Sequence, residues 1–237
     1  GTSTASVAVG GYVPTWSKVV HTETWNGSSW TESPNDLNTA RVSGAAFGTS
    51  TAGLSAAGWQ DPSSTVSILV ESWNGSSWTE TTENNTGRGN ISGSGTQTSA
   101  IVYGGTPTPS TVVNNVESWD GSSWTETTEI NTSRGLGHGA GTSNTNALYF
   151  GGGVPPAYKN ETESWDGTSW TEAANLSTAR QQGGGHGPSS ATAMLSGGDS
   201  GSLQAATEEW SAPATFRQFN VGDIYYNADP SSGVLKY

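Results

Sequence analysis

Glu71-Ser72-Trp73-Asn74-Gly75-Ser76-Ser77-Trp78-Thr79-Glu80 is the stretch that decides how this chain folds. It returns as ESWDGSSWTE at 117–126 and ESWDGTSWTE at 163–172, with a looser copy, ETWNGSSWTE, at 23–32. Identical words at a fixed period mark one structural unit repeated along the chain. Units of this size bury their apolar faces only against their neighbours. Independent landmarks keep the same beat. The first tryptophan of each unit is Trp25, Trp73, Trp119, Trp165 and, in a degraded copy, Trp210; Arg41, Arg88, Arg134 and Arg180 follow in phase. Glycine pairs recur at Gly10-Gly11, Gly104-Gly105, Gly151-Gly152 and Gly197-Gly198, and the second unit breaks the pattern with Gly58-Trp59. Five units result, at about 1–40, 41–87, 88–133, 134–179 and 180–216, followed by a tail at 217–237.

Within the fourth unit no stretch has helical apolar phasing. A glycine-rich segment from Gly135 to Gly141 leads through a polar turn at Ser143–Asn146 into an apolar strand, Ala147–Phe150, that stops at Gly151-Gly152. Glycine at a strand end suits close approach of another backbone. After a variable loop, Glu163-Ser164-Trp165 and Thr168-Ser169-Trp170-Thr171-Glu172 flank Asp166-Gly167, a strong hairpin signal. Two registers are open. A two-residue turn sets Glu163 opposite Trp170, and a four-residue loop sets Trp165 opposite Trp170. Each unit then holds four short antiparallel strands, the content of a propeller blade.

These marks resemble the kelch-type β-propellers: an arginine before the innermost strand, an apolar strand ending in Gly-Gly, an aromatic residue after an acidic one on the third strand, and a tryptophan on the fourth. The likeness spans residues 1–216 and implies an all-β, five-bladed propeller. Tryptophan stands where that family often has tyrosine, and the innermost strand is unusually glycine-rich. The repeated ESW(D/N)GSSWTE words and the C-terminal GDIYYNADPSSGVLKY, 222–237, also look like segments of virion or tail-associated proteins of marine bacteriophages. That second resemblance implies a virion or extracellular location.

Charge narrows the partners. A formal net charge of −12 with eight Lys and Arg gives no basic surface for phosphates, so nucleic-acid binding is not expected. No apolar run approaches the roughly 20 residues that span a bilayer, and the N-terminus has no basic-then-apolar signal pattern. Membrane insertion is not expected. With no cysteine there is no disulfide and no thiolate chemistry. Leu, Ile, Val and Phe make up only about 14% of the chain, a level that with this charge usually accompanies disorder. The 11 tryptophans and 7 tyrosines change that reading, because large rings beside Gly and Ala build a thin core between sheets.

The ends break the repeat. The first unit begins in the second half of its pattern, so its blade is expected to lack an innermost strand. The tail carries a hairpin pattern, Ile224-Tyr225-Tyr226 and Val234-Leu235-Lys236-Tyr237. It is expected to complete the first blade, either of its own molecule or of a neighbour, unless an upstream strand does so.

No catalytic constellation is found. Glu23, Glu71, Glu117, Glu163 and Glu208 share one repeat position, and Glu32, Glu80, Glu126 and Glu172 another. Glycoside hydrolysis needs two carboxylates in different environments, whereas repetition gives every unit the same ones. A structural role, paired with the phased arginines or solvated at the blade edge, is expected. The Asp-Gly segments superficially resemble the Asp-box of sialidase-like propellers but are one residue short. Copper-radical oxidases with kelch propellers need a cysteine that this chain lacks. No cofactor and no metal are expected.

The variable loops after the glycine pairs, at Tyr12–Val20, Gln60–Val66, Thr106–Val113, Val154–Asn160 and Asp199–Gln204, are the candidate contact surface, since a fixed scaffold tolerates variation there. Trp16, Trp59 and Tyr158 are expected to be exposed rings for stacking on sugars, and His138 and His186 to face the central channel. The function expected is a non-enzymatic display or binding module contacting a host-surface glycan or protein. The alternatives are a self-assembling fibre or capsid-decoration subunit joined through its tail to other virion subunits or to copies of itself, and a glycan-active hydrolase or lyase.

Overall fold

A computed structural model describes residues 2–14, 17–60, 65–154 and 156–212, together with the pairs 225–226 and 235–236. The described residues form strands, bridges and turns without a helix. Among the described residues no helix is long and apolar enough to cross a membrane.

Five principal antiparallel sheets follow one another along the chain, one per sequence unit, and none closes into a barrel. The second joins Ala45–Gly48, Gly53–Ala56, Val70–Trp73 and Trp78–Glu80. The third joins Ser92–Thr96, Ser99–Tyr103, Val116–Trp119 and Trp124–Glu126, and the fourth His138–Ser143, Asn146–Phe150, Thr162–Trp165 and Trp170–Ala173. The first has three strands among the described residues, Ser6–Val9, Thr22–Trp25 and Trp30–Glu32. The fifth also has three, Gly184–Ser189, Thr192–Ser196 and Thr207–Ser211, so the four strands expected there are not reached among the described residues. In the tail, Tyr225–Tyr226 pairs with Leu235–Lys236 as a separate two-stranded sheet.

The hairpin register is the four-residue one. Trp165 lies opposite Trp170, and Trp25/Trp30, Trp73/Trp78 and Trp119/Trp124 repeat the pairing. Only the glycine of each turn takes positive φ, for example +99° at Gly167. The preceding Asp or Asn instead folds its side chain back: Asp166 Oδ1 accepts from the backbone N–H groups of Thr168 and Ser169 at 2.8 and 2.9 Å. This side-chain turn replaces the two-residue type I′ turn that Asp-Gly signals. The same bonds, led by the Ser123 and Ser169 amides, hold the Asp120 and Asp166 carboxyls down at about 2.

Each sheet packs its face on the next. Leu54 and Ala56 of the second sheet meet Ala100, Val102, Trp119 and Trp124 of the third. Ile101 and Tyr103 of the third meet Ala147, Tyr149, Trp165 and Trp170 of the fourth. Leu148 and Phe150 then meet Ala193 and Leu195 of the fifth, while Val7 and Val9 of the first meet Trp73 and Trp78. Tryptophan pairs at ring separations of 5.2–5.5 Å supply area that the few aliphatic residues do not. In the second to fourth sheets the first ring of each pair also ties its own sheet together, its indole N–H donating to the turn between the first two strands, as from Trp119 to Gln97 O at 2.8 Å.

Candidate functional site

The phased arginines and glutamates form the scaffold on which any site must stand. Arg41 pairs with Glu71 at 2.9 Å, Arg88 with Glu117 at 2.8 Å, Arg134 with Glu163, and Arg180 with Glu208 at 2.6 Å. The first three pairs are buried on both sides, and burial pushes the Arg41 and Arg88 guanidiniums below their ordinary value. Buried carboxylates need further donors. Each glutamate therefore accepts a backbone N–H from the segment entering the unit: Asn38 to Glu71, Asn85 to Glu117, Asn131 to Glu163 and Ser177 to Glu208, at 2.7–2.8 Å. The arginine carbonyls face the preceding unit and accept from the second glycine of its pair, as from Gly105 to Arg134 O and from Gly152 to Arg180 O at 2.9 and 2.8 Å. This explains the paired glycines. Gly151 sits at φ +63°, and a Cβ there would lie 2.7 Å from Arg180 O. The repeated glutamates on the fourth strands, Glu32, Glu80, Glu126 and Glu172, are exposed. Four of the five glutamates of the first set are thus paired with arginine, Glu23 having no arginine partner among the described residues, and the second set is solvated.

Two surfaces of the described residues hold the side chains expected to meet a ligand. The first is a cavity of about 580 Å³ where the first strands of the second to fifth sheets converge, at 46–49, 93–96, 139–142 and 185–188, with Thr2 and Ser3 beside them. Its wall is mostly glycine, serine, threonine and alanine, and among the described residues His186 is its single titratable side chain. No carboxylate stands opposite another there to act as acid and base.

The second surface is the set of connections after the glycine pairs. Each connection forms a small hairpin or bridge: Tyr12 with Lys18, Trp59–Gln60 with Thr65–Val66, Thr108 with Thr111, Gly153–Val154 with Ala157–Tyr158, and Asp199 with Leu203. In three units the residue after the phased arginine anchors the connection, through Val42 with Trp59, Gly89 with Thr106 and Gln181 with Asp199. Neighbouring connections also touch, since Lys18 Nζ donates to Gln60 O at 3.1 Å and Tyr158 O–H to Asp199 Oδ2 at 3.4 Å.

The five residues proposed from sequence as ligand contacts fall differently. Trp59 is buried at 8% exposure, its indole lying over Gly89, where a Cβ would come within 2.0 Å of Nε1. It anchors its loop and offers no stacking face, which corrects the expectation of an exposed ring. His138 does not face the cavity. Its Nε2 accepts the Gly183 N–H at 2.8 Å, and burial, with Arg180 nearby, lowers it to about 4. A neutral imidazole acting as acceptor between two sheets is not free to bind a ligand. His186 is exposed and lines the cavity, as expected. Tyr158 is half-buried in its loop, and Trp16 lies outside the described residues. No group of three or more His, Cys, Asp or Glu side chains converges on a metal-sized site among the described residues. The loops also expose Tyr12, at 50%, and Leu203, at 92%. Both belong to the loops marked from sequence, and their exposure inside a loop has no periodic signal.

No family model matches this chain, and no curated protein does. Among solved structures it is similar to "Structure of YjhT", with a TM-score of 0.71 at 12% identity, over 86% of this chain and 80% of that one. The likeness is one of fold.

Proposed function

We propose that this chain is a five-bladed, kelch-like β-propeller serving as a non-enzymatic display and binding module on a virion or in an extracellular setting. Its partner is a host-surface glycan or protein, met through the loops after the glycine pairs. The observation that carries this reading is the contrast between scaffold and loops. The arginine, glutamate and glycine contacts recur nearly unchanged from unit to unit, while the connections they support differ in sequence and length. Invariant support under variable tips is how a rigid fold diversifies contact without losing stability. Tyr12, Tyr158 and Leu203 are the side chains whose position in these loops best suits contact. The glycine-rich cavity supports binding rather than hydrolysis, since its described wall holds no pair of carboxylates.

A panel of surface glycans and host-cell extracts, probed with the intact chain and with a variant carrying Tyr12→Ser, Tyr158→Ser and Leu203→Ser, tests the proposal. Binding that falls at least tenfold in the variant, with no product formed from bound polysaccharides, is the expected result. Binding unaffected by the loop changes, or turnover of a polysaccharide, overturns it.

A further inference from the structure

Trp25-Asn26-Gly27-Ser28-Ser29-Trp30-Thr31-Glu32 and Trp73-Asn74-Gly75-Ser76-Ser77-Trp78-Thr79-Glu80 are the same eight residues at two places in the chain. Asn26 and Asn74 are the only asparagines followed by glycine, and both are exposed. The third and fourth hairpins carry Asp120-Gly121 and Asp166-Gly167 at the same place. An asparagine before glycine loses its amide without a catalyst. The glycine N–H gives up its proton and its nitrogen bonds to Cγ, the Cγ–Nδ2 bond breaks, and ammonia leaves with that proton. Water then opens the cyclic imide to aspartate or isoaspartate.

Both turns present the reacting groups in the same way. Asn26 Oδ1, where negative charge develops as the ring closes, accepts from the Ser28 and Ser29 N–H groups at 2.9 and 3.0 Å and from the Ser28 O–H at 2.9 Å. Asn74 Oδ1 accepts from the Ser76 and Ser77 N–H groups and the Ser76 O–H, each at 2.9 Å. Donors already aimed at a developing oxyanion lower the barrier to forming it. The departing Nδ2 lies 3.2 Å from Ser29 Oγ in one turn and from Ser77 Oγ in the other. No hydrogen bond holds the Gly27 or Gly75 N–H among the described residues. The product fits the same frame, since Asp120 and Asp166 accept the corresponding three bonds at 2.8–2.9 Å, and a carboxylate is the stronger acceptor.

The two turns differ in how they are held. Ring closure must swing the Asn-Gly peptide out of the turn, so its rate follows the ease of local opening. The second turn is tied to the units on both sides: Asn35 Nδ2 donates to Ser76 O at 2.8 Å, and Gln97 Nε2 to Trp73 O at 2.6 Å. Trp73 and Trp78 are buried beneath it. Among the described residues no side chain bonds Ser28 O or Trp25 O in this way, and Trp30 is 49% exposed. We propose that Asn26 is a self-deamidation site of the folded protein, and that the neighbouring units protect the identical Asn74. Hydrolysis to aspartate gives the first hairpin the acidic turn of the third and fourth, and adds one negative charge to a chain that carries −12.

The two sites fall in separate tryptic peptides, bounded by Lys18, Arg41 and Arg88. Incubation of the intact chain in warm, mildly alkaline buffer, followed by peptide mass mapping, therefore reads both at once through the gain of about 1 Da that amide-to-acid conversion brings. In the folded chain Asn26 is expected to convert about tenfold faster than Asn74, the factor that one or two hydrogen bonds set on a local opening. In concentrated urea the two rates are expected to be equal, because the local sequences are the same. Asn35→Ala with Gln97→Ala is expected to raise the Asn74 rate towards that of Asn26 and to leave Asn26 unchanged. The comparison within the native chain does not depend on that variant folding. Equal rates in the folded chain, or conversion confined to urea, overturn the proposal. So does an Asn74 rate that the paired substitutions leave unchanged in a folded protein.

Discussion

The three middle sheets and the two terminal ones are written in almost the same residues, yet they differ in what those residues experience. Trp170 and Trp30 each close an ESW- or ETW-type hairpin, each opposite another tryptophan, at ring separations of 5.3 and 5.5 Å. The first is 6% exposed and the second 49%. Glu163 is buried against Arg134, while Glu208 in the same role keeps 23% of its side chain exposed. The hairpin therefore fixes the local pairing, and the neighbouring sheet fixes the environment. In a repeat array, burial belongs to the interface between units more than to the unit.

That comparison can be broken most directly at the ion pairs. Arg134→Ala leaves Glu163 buried without its cation, and a loss of about 3–5 kcal/mol in denaturant unfolding is expected. Arg180→Ala is expected to lose about half as much, because Glu208 can reach water. Equal losses would show that the terminal pair is as enclosed as the middle ones.

The tryptophans sharpen it next. Trp170→Ala removes a buried ring and should lower stability by about 3 kcal/mol. Trp30→Ala should cost less than about 1 kcal/mol, because half of that side chain already meets solvent. Denaturant unfolding curves of the two substitutions measure the difference.

His138 provides a pH test of one interface, between the fourth and fifth sheets. Its folded value of about 4 lies below its ordinary 6.5, so the unfolded state binds the extra proton first. The stabilisation is complete above pH 6.5, declines as pH falls towards 4, and is flat below. The loss is at most about 3 kcal/mol by proton linkage. His138→Gln should flatten this part of the stability profile, and an unchanged profile would place the titration elsewhere.

The smallest effect concerns a single methyl. Trp78 donates its indole N–H to Thr22 Oγ1 at 2.9 Å, whereas Trp124 and Trp170 pack in the clusters of Val70 and Val116, where their N–H groups find no acceptor among the described residues. Val116→Thr restores the first-interface chemistry and should stabilise by up to about 1 kcal/mol, against the usual cost of burying a hydroxyl. A loss above 1 kcal/mol would show that the valine's packing outweighs the hydrogen bond.

Much of this was legible in the sequence. The period located the five principal sheets, the Asp-Gly and Asn-Gly words located the hairpins, and the phase of arginine with glutamate anticipated their pairing. The turn type was not legible, because Asp166 uses its side chain to build a four-residue loop that Asp-Gly alone does not distinguish from a two-residue one. Nor was the fate of single loop residues. Trp59 looked like a free aromatic in a variable segment, but Gly89, thirty positions later, leaves the space that its ring fills. His138 looked like a channel residue until the Gly183 amide claimed its nitrogen.

By itself, the sequence determined the repeat, its strands and the polar partners each unit carries, because these depend on spacing within about 46 residues and recur with it. Only the tertiary structure decided which copies of a residue are buried, and which loop rings anchor and which are offered to solvent. Those properties depend on what lies across an interface, and identical units at the middle and the end of an array do not have the same neighbours.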